Sequence, residues 1–259
     1  MTIRRLNRIF GPDGRAVIIA LDHGLIDGPC EGFEDPGATI AAVVAGGADA
    51  ILTSFGIAER FEAELSRVGL IVRSDGAETN LGTPSDGSLG QFYGPADAIR
   101  LGADALVVTA LPGCDKEAAT LENLARTTAE AHRVGLPVLG EMVPGGFNGG
   151  PETRGPDAVA LAARLGAELG ADFIKAPYCD DYSRVTGNTF VPVVILGGSK
   201  GDERAMLANI HDAIAAGAKG VAIGRNVFQC ENPTAMTRSI VAIVHQDASV
   251  DDALKILQG

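Results

Sequence analysis

The stretch Ala171-Asp172-Phe173-Ile174-Lys175-Ala176-Pro177-Tyr178 places a lysine at the end of an apolar run. Phe173-Ile174 reads as a strand buried on both faces. Ala176-Pro177 is expected to end it, because proline offers no amide to a ladder and restricts the residue before it. Lys175 therefore belongs at the C-terminal edge of a buried strand. An amine in that position must be paired or neutral, and a desolvated, neutral amine is the form that attacks carbonyls. Two readings are open from this stretch alone: a lysine salt-bridged inside the fold or reaching solvent, and a nucleophile.

Outward from this segment the same unit recurs: a short apolar run, a turn, then a helical pattern closed by glycine. Runs at 16–21, 48–53, 70–73, 104–109, 137–143, 192–196 and 219–223 read as strands like the one carrying Lys175. Helical spacing covers 38–45, 59–68, 95–101, 116–134, 156–169, 202–216 and 233–244, with a short helix at 250–257. A polar loop is expected over 74–90. Eight strands alternating with helices in 259 residues predict a single-domain (β/α)8 TIM barrel over 1–259 with a short N-terminal arm. A doubly wound open sheet is the alternative, but no GxGxxG follows the first strand.

Composition narrows the function classes. A hydrophobic share of 46% and no apolar run near the ~20 residues that span a bilayer point to a cytoplasmic protein without a membrane segment. Cys30, Cys114, Cys179 and Cys230 are far apart in sequence and read as reduced thiols rather than as a disulfide framework or zinc site. The histidines His23, His132, His211 and His245 lack metal-ligand spacing, so no metal and no cofactor is expected. A net charge of −12 argues against a nucleic-acid partner, because phosphates need basic surface. A small anionic ligand needs only a local basic or amide-lined pocket.

In this fold the reactive groups lie where the strands end. Those ends read Asp22-His23, Arg73, Thr109, Glu141, Lys175, Lys200 and Arg225. Gly197-Gly198-Ser199-Lys200 and Gly224-Arg225-Asn226 are glycine turns just ahead of helices, where backbone amides can cradle a phosphate. They also suit tight strand-to-helix links, and Lys200 and Arg225 beside them favour the anion. A lysine, a carboxylate and a phosphate cradle around one pocket can hold a phosphorylated carbonyl compound as an imine. A proton must then move on and off a substrate hydroxyl. Asp22, Glu141, His23 and Tyr178 are the candidates.

Leu21-Asp22-His23-Gly24 with Gly28-Pro29, then Phe173-Ile174-Lys175, Gly197-Gly198-Ser199-Lys200 and Val221-Ala222-Ile223-Gly224-Arg225-Asn226-Val227-Phe228-Gln229 resemble the DhnA-type (archaeal-type) class I fructose-bisphosphate aldolases of the DeoC/LacD superfamily. That superfamily also holds aminodideoxyheptulosonate synthases and a thiolase of phosphorylated autoinducer products. The resemblance spans nearly the whole chain. It implies that Lys175 is the Schiff-base lysine, that Asp22 transfers a proton or orients the substrate, and that Gly197-Gly198 and Gly224-Arg225 bind phosphate. It also implies a homo-oligomer, to which the arm could contribute an interface.

One departure stands out. Aldolases of this type carry a tyrosine acid in Tyr-Pro-Arg-Gly after the fifth strand, where this chain has Val143-Pro144-Gly145-Gly146. Glu141, on the same strand face by alternation, could donate the proton if burial keeps it protonated, or could pair with Lys175. His23 is a secondary donor or a loop cap, and Tyr178 and Tyr182 are expected to pack. The functions left open are a metal-independent aldolase on a phosphorylated sugar-like substrate, a transaldolase- or thiolase-type transfer of the fragment, and a catalytically silent sugar-phosphate binding protein.

Overall fold

Successive strand residues face opposite ways, so a strand buried on both sides sends alternate side chains into two different cores. The computed structural model describes residues 3–76, 79–82 and 89–259, and in it eight parallel strands close into a barrel. They are β1 (Ala16–Leu21), β2 (Ala50–Thr53), β3 (Gly69–Arg73), β4 (Ala105–Ala110), β5 (Val138–Met142), β6 (Phe173–Pro177), β7 (Val193–Leu196) and β8 (Gly220–Ile223). Each pairs with its sequence neighbours, and β8 closes on β1. Ile18, Leu52, Ile71, Val107, Leu139, Phe173 and Val194 fill the barrel. Val17, Ile19, Ile51, Val72, Val108, Ile174 and Ile195 face outward into the layer beneath the helices.

The predicted elements match in order, with two differences. The helix expected at 59–68 appears as Phe55–Arg60 and Glu62–Leu65, interrupted at Phe61. Phe61 leaves helical geometry at φ −113° and lays its ring against Gly37, where a Cβ would crowd it. β6 ends at Pro177, as the Ala176-Pro177 pair predicts, with Pro177 in register with Leu196. As the last strand residue, proline loses no ladder bond that the strand needs. Part of the predicted 74–90 loop forms a two-stranded ribbon, Asp75–Gly76 against Gly90–Gln91. Residues 77–78 and 83–88 of that loop, and Met1 and Thr2 of the arm, lie outside the described residues.

The arm folds under the barrel. Ile9 is fully buried, and Phe10 meets Phe173 edge-on at 5.4 Å. Arg5 donates to the Ala103 carbonyl at 2.5 Å, and Arg8 pairs with Asp104 at 3.3 Å.

That lower end holds a repeated device. Asp49, Asp104 and Asp172 directly precede β2, β4 and β6, each in a Gly-Ala-Asp sequence. Each carboxylate accepts an amide at the start of a neighbouring strand: Val17 at 2.6 Å, Leu70 at 3.1 Å and Val138 at 2.8 Å. Each also meets one basic side chain, His245 at 2.9 Å, Arg8 at 3.3 Å and His132 at 2.9 Å respectively. Among the described residues no helix is long and apolar enough to cross a membrane.

Candidate active site

The upper end of the barrel replaces its apolar filling with charge. Thr109, Glu141 and Lys175 occupy paired positions on β4, β5 and β6, so parallel register alone sets them side by side. By alternation they stand one step above Val107, Leu139 and Phe173 and face inward with them. Lys175 Nζ lies 2.7 Å from Glu141 Oε1, with both side chains almost wholly buried. Arg73 reaches across from the end of β3. Its Nη2 donates to Glu141 Oε2 at 2.6 Å, and its Nη1 to Thr109 Oγ1 at 2.8 Å and Asp75 Oδ1 at 3.0 Å. Its Nε bonds Asp22 Oδ2. One planar guanidinium thus binds three carboxylates, a fork geometry that lysine could not supply.

These contacts decide the protonation states. Burial opposes charge on Glu141, but Arg73 and then Lys175 outweigh it and hold the carboxyl far below the usual range. Glu141 therefore stands as an ionised partner of Lys175, the second of the two readings open from the sequence, rather than as a protonated donor. The same balance acts on Asp22: burial raises its pKa, while Arg73, Lys175 and His23 bring it below the ordinary value. Asp75 differs. Its burial prevails over Arg73 and its bond from the Thr109 amide, and its carboxyl sits above the usual value. His23 is pushed down by burial despite Asp22, which favours the neutral ring. Its Nδ1 is buried without a hydrogen bond, 3.6 Å from Asp22 Oδ1.

A cavity of about 480 Å³ opens over this cluster, lined by Asp22, His23, Arg73, Asp75, Thr109, Glu141, Val143 and Lys175. Gly197, Gly198, Ser199, Gly224 and Arg225 line another part of its wall. Two of these glycines are required by geometry. Gly198 has φ +66°, and a Cβ on Gly224 would collide with the His23 ring and the Ala20 carbonyl. Asn226 ties the two turns together, donating to the Gly197 and Ser199 carbonyls at 2.9 and 3.1 Å. Arg225 Nε is buried without a partner. Lys200 does not join the group: it is exposed, and its ammonium donates to the Gln229 carbonyl at 2.5 Å outside the cavity. The expected cradle is thus brought together without its lysine.

Tyr178 stacks on buried Tyr182 at 5.8 Å as expected, yet it also lines the cavity. Arg73 is named in the sequence only as one strand end among several. Its role as hub escapes sequence reasoning because its partners Asp22, Thr109 and Glu141 come from other barrel strands, and Asp75 because it lies in a ribbon read from the sequence as loop.

A parallel eight-stranded barrel with a buried lysine and ion cluster at its strand ends has the architecture of a (β/α)8 aldolase. The chain belongs to the DeoC/LacD family of aldolases, whose sequence profile matches residues 16–230. It is 42% identical to 2-amino-3,7-dideoxy-D-threo-hept-6-ulosonate synthase of Halobacterium salinarum, over 96% of this chain and 94% of that protein. Its fold matches the crystal structure of an archaeal fructose 1,6-bisphosphate aldolase with a TM-score of 0.86 at 31% identity, covering 95% of this chain and all of that one. A structure from a study of reaction intermediates of a Schiff-base-forming fructose-1,6-bisphosphate aldolase matches with a TM-score of 0.84 at 31% identity, over 95% and 100% of the two chains.

Proposed function

We propose that this chain makes or breaks a carbon–carbon bond in a phosphorylated, sugar-like carbonyl compound through an imine on Lys175. The observation that carries this reading is Lys175 Nζ, buried 2.7 Å from Glu141 Oε1 inside the cavity that the glycine turns share. The amine adds to the substrate carbonyl and water leaves, giving an iminium whose nitrogen draws electrons from the neighbouring bond. Glu141 stays ionised beside that nitrogen and balances the positive charge of the iminium. The ketone phosphate sits on the amides of Gly198, Ser199 and Gly224 with Arg225 beside them.

In the cleavage direction the proton of the β-hydroxyl needs an acceptor. With the neutral ring protonated at Nδ1, 3.6 Å from Asp22 Oδ1, Nε2 is left to take it. Cleavage sends the bonding electrons into an enamine. The enamine is then reprotonated, and water releases the product from Lys175. Val143 lines the cavity and carries no proton, so transfer of the fragment to an acceptor other than water-borne protons is a second reading.

Intact-mass spectrometry after borohydride reduction with dihydroxyacetone phosphate tests the imine. A single adduct is expected on the wild type and none on Lys175→Gln. An unmodified wild type would overturn the reading and favour a silent sugar-phosphate binder. Product analysis with alternative aldehyde acceptors separates cleavage from transfer.

A further inference from the structure

Asp75 takes no part in the carbon–carbon chemistry proposed above, yet it is buried in the wall of the cavity. It opens the ribbon strand Asp75–Gly76, which is anchored on both sides. The Ser74 carbonyl accepts the amides of Phe92 and Tyr93 at 2.8 and 2.9 Å, and the Ser74 hydroxyl donates to the Val107 carbonyl at 3.0 Å. A Cβ on Gly76 would collide with the Phe92 ring, so the ribbon is close-packed and holds the carboxyl in one place. Among the described residues three carboxyl groups, Asp22, Asp75 and Glu141, meet two cations, Arg73 and Lys175. The neutral ring of His23 adds none. One negative charge is left over, and an unmatched charge away from water is costly.

The hydrogen bonds decide which carboxyl holds the extra proton. Thr109 has one hydroxyl hydrogen and two carboxyl neighbours, Glu141 Oε2 at 3.0 Å and Asp75 Oδ1 at 3.4 Å. Its oxygen also accepts from Arg73 Nη1 at 2.8 Å. The nearer carboxyl oxygen takes the hydrogen. Asp75 Oδ1 then faces the second lone pair of Thr109 Oγ1, and bonds it only by donating a proton of its own. The other partners of Asp75 suit the acid. Its carbonyl oxygen Oδ2 accepts the Thr109 amide at 2.5 Å, and Oδ1 accepts from Arg73 Nη1 at 3.0 Å. In agreement, burial outweighs Arg73 and raises the Asp75 pKa, whereas those of Asp22 and Glu141 are lowered.

We infer that Asp75 is a positioning residue: as the neutral acid it donates to Thr109 Oγ1, which turns the Thr109 hydroxyl towards Glu141 Oε2 and fixes Glu141 Oε1 against Lys175. Its role rests on the imine at Lys175 proposed above. Asp75 faces Arg73 at the end of β3, Thr109 on β4 and Glu141 on β5, with Asp22 and Lys175 one group further on. Once ionised, Asp75 takes the single Thr109 hydrogen for itself. Glu141 then loses the bond that orients it beside the nitrogen on which the iminium charge develops, and imine formation slows.

Two measurements on the whole enzyme test this. In protein labelled with carbon-13 at the aspartate side-chain carboxyls, the resonance missing from Asp75→Asn belongs to Asp75. It should lie at the position of a neutral acid at neutral pH and move to that of a carboxylate as pH rises. The rate of imine formation with dihydroxyacetone phosphate, quenched with excess borohydride and read by intact mass, is followed over the same pH range. Asparagine offers Thr109 an N–H at every pH. The wild type should therefore lose about tenfold against Asp75→Asn as Asp75 ionises, the scale of one hydrogen bond to a charged group. In a Thr109→Val background that loss should vanish, and with Thr109→Ser, which keeps the hydroxyl, it should remain. Should Asp75→Asn not fold, a fall in rate with pH that is present with Thr109→Ser and absent with Thr109→Val carries the same test. An Asp75 carboxyl already ionised at neutral pH, or a loss that persists in Thr109→Val, overturns the inference. No adduct on the wild type at any pH removes the imine reading and this role with it, whereas an adduct formed with the same pH dependence in the wild type and Asp75→Asn removes this inference alone.

Discussion

The two ends of the barrel use the same residue types for opposite purposes. At the lower end, Asp49, Asp104 and Asp172 each accept one strand amide and meet one basic side chain, once every second strand. At the upper end, Asp22, Asp75 and Glu141 converge on one guanidinium beside one lysine. The lower pairs follow the symmetry of the fold, and each is satisfied where it stands. The upper cluster breaks that symmetry and gathers its charge in one cavity. Repetition marks a group that supports the barrel; convergence marks one that can act on a ligand.

The largest effect should come from Glu141→Gln. It leaves Arg73 and Lys175 buried with one counter-charge fewer, and breaking a buried pair typically costs about 3–5 kcal/mol. Thermal unfolding should show that loss. Turnover should fall roughly hundredfold or more, the scale for removing a preorganised electrostatic partner. Unchanged turnover would show that Glu141 belongs with the lower-end carboxylates.

A smaller and more selective effect is expected for Arg225→Gln. Its Nε has no partner to strand, so stability should hold. The KM for a phosphorylated substrate should rise about tenfold, which corresponds to losing one charge-assisted hydrogen bond of about 1.5 kcal/mol. Steady-state kinetics showing a fall in kcat with KM unchanged would remove Arg225 from the cradle.

The smallest effect on activity belongs to the lower end. His245 is held between Asp49 and Asp13 at 2.9 and 2.8 Å, and its pKa is raised to about 9, first by the Asp49 bond, with burial opposing and Asp13 assisting. A raised pKa means that the charged ring stabilises the fold. That contribution is complete below the ordinary histidine pKa and fades as pH rises through about 9. His245→Gln should lower Tm by a few degrees at pH 6, with a shrinking deficit by pH 10, and should leave kcat/KM unchanged. Lost activity at constant stability would contradict the division between the two ends.

Much of this was legible in the chain. Short apolar runs closed by glycine turns mark eight strands, because parallel strands buried on both faces need little else. Lys175, Glu141 and Asp22 could be placed at strand ends by counting alone. The broken helix at Phe61 was not legible, since it depends on a ring contact with Gly37, 24 positions away in the chain. The Gly-Ala-Asp repeat at 47–49, 102–104 and 170–172 was visible in the letters, ahead of every second strand.

The sequence by itself determined the barrel, the strand that carries Lys175 and the face on which Glu141 stands, because alternation and strand order are local properties that survive folding unchanged. Only the tertiary structure decided the chemistry of those groups. Whether Glu141 is a proton donor or a fixed anion depends on Arg73 arriving from two strands away. Likewise, Lys200 leaves the cradle because loop geometry rather than spacing aims its side chain. Charge states and reach are set by neighbours distant in sequence, and those neighbours exist only once the barrel has closed.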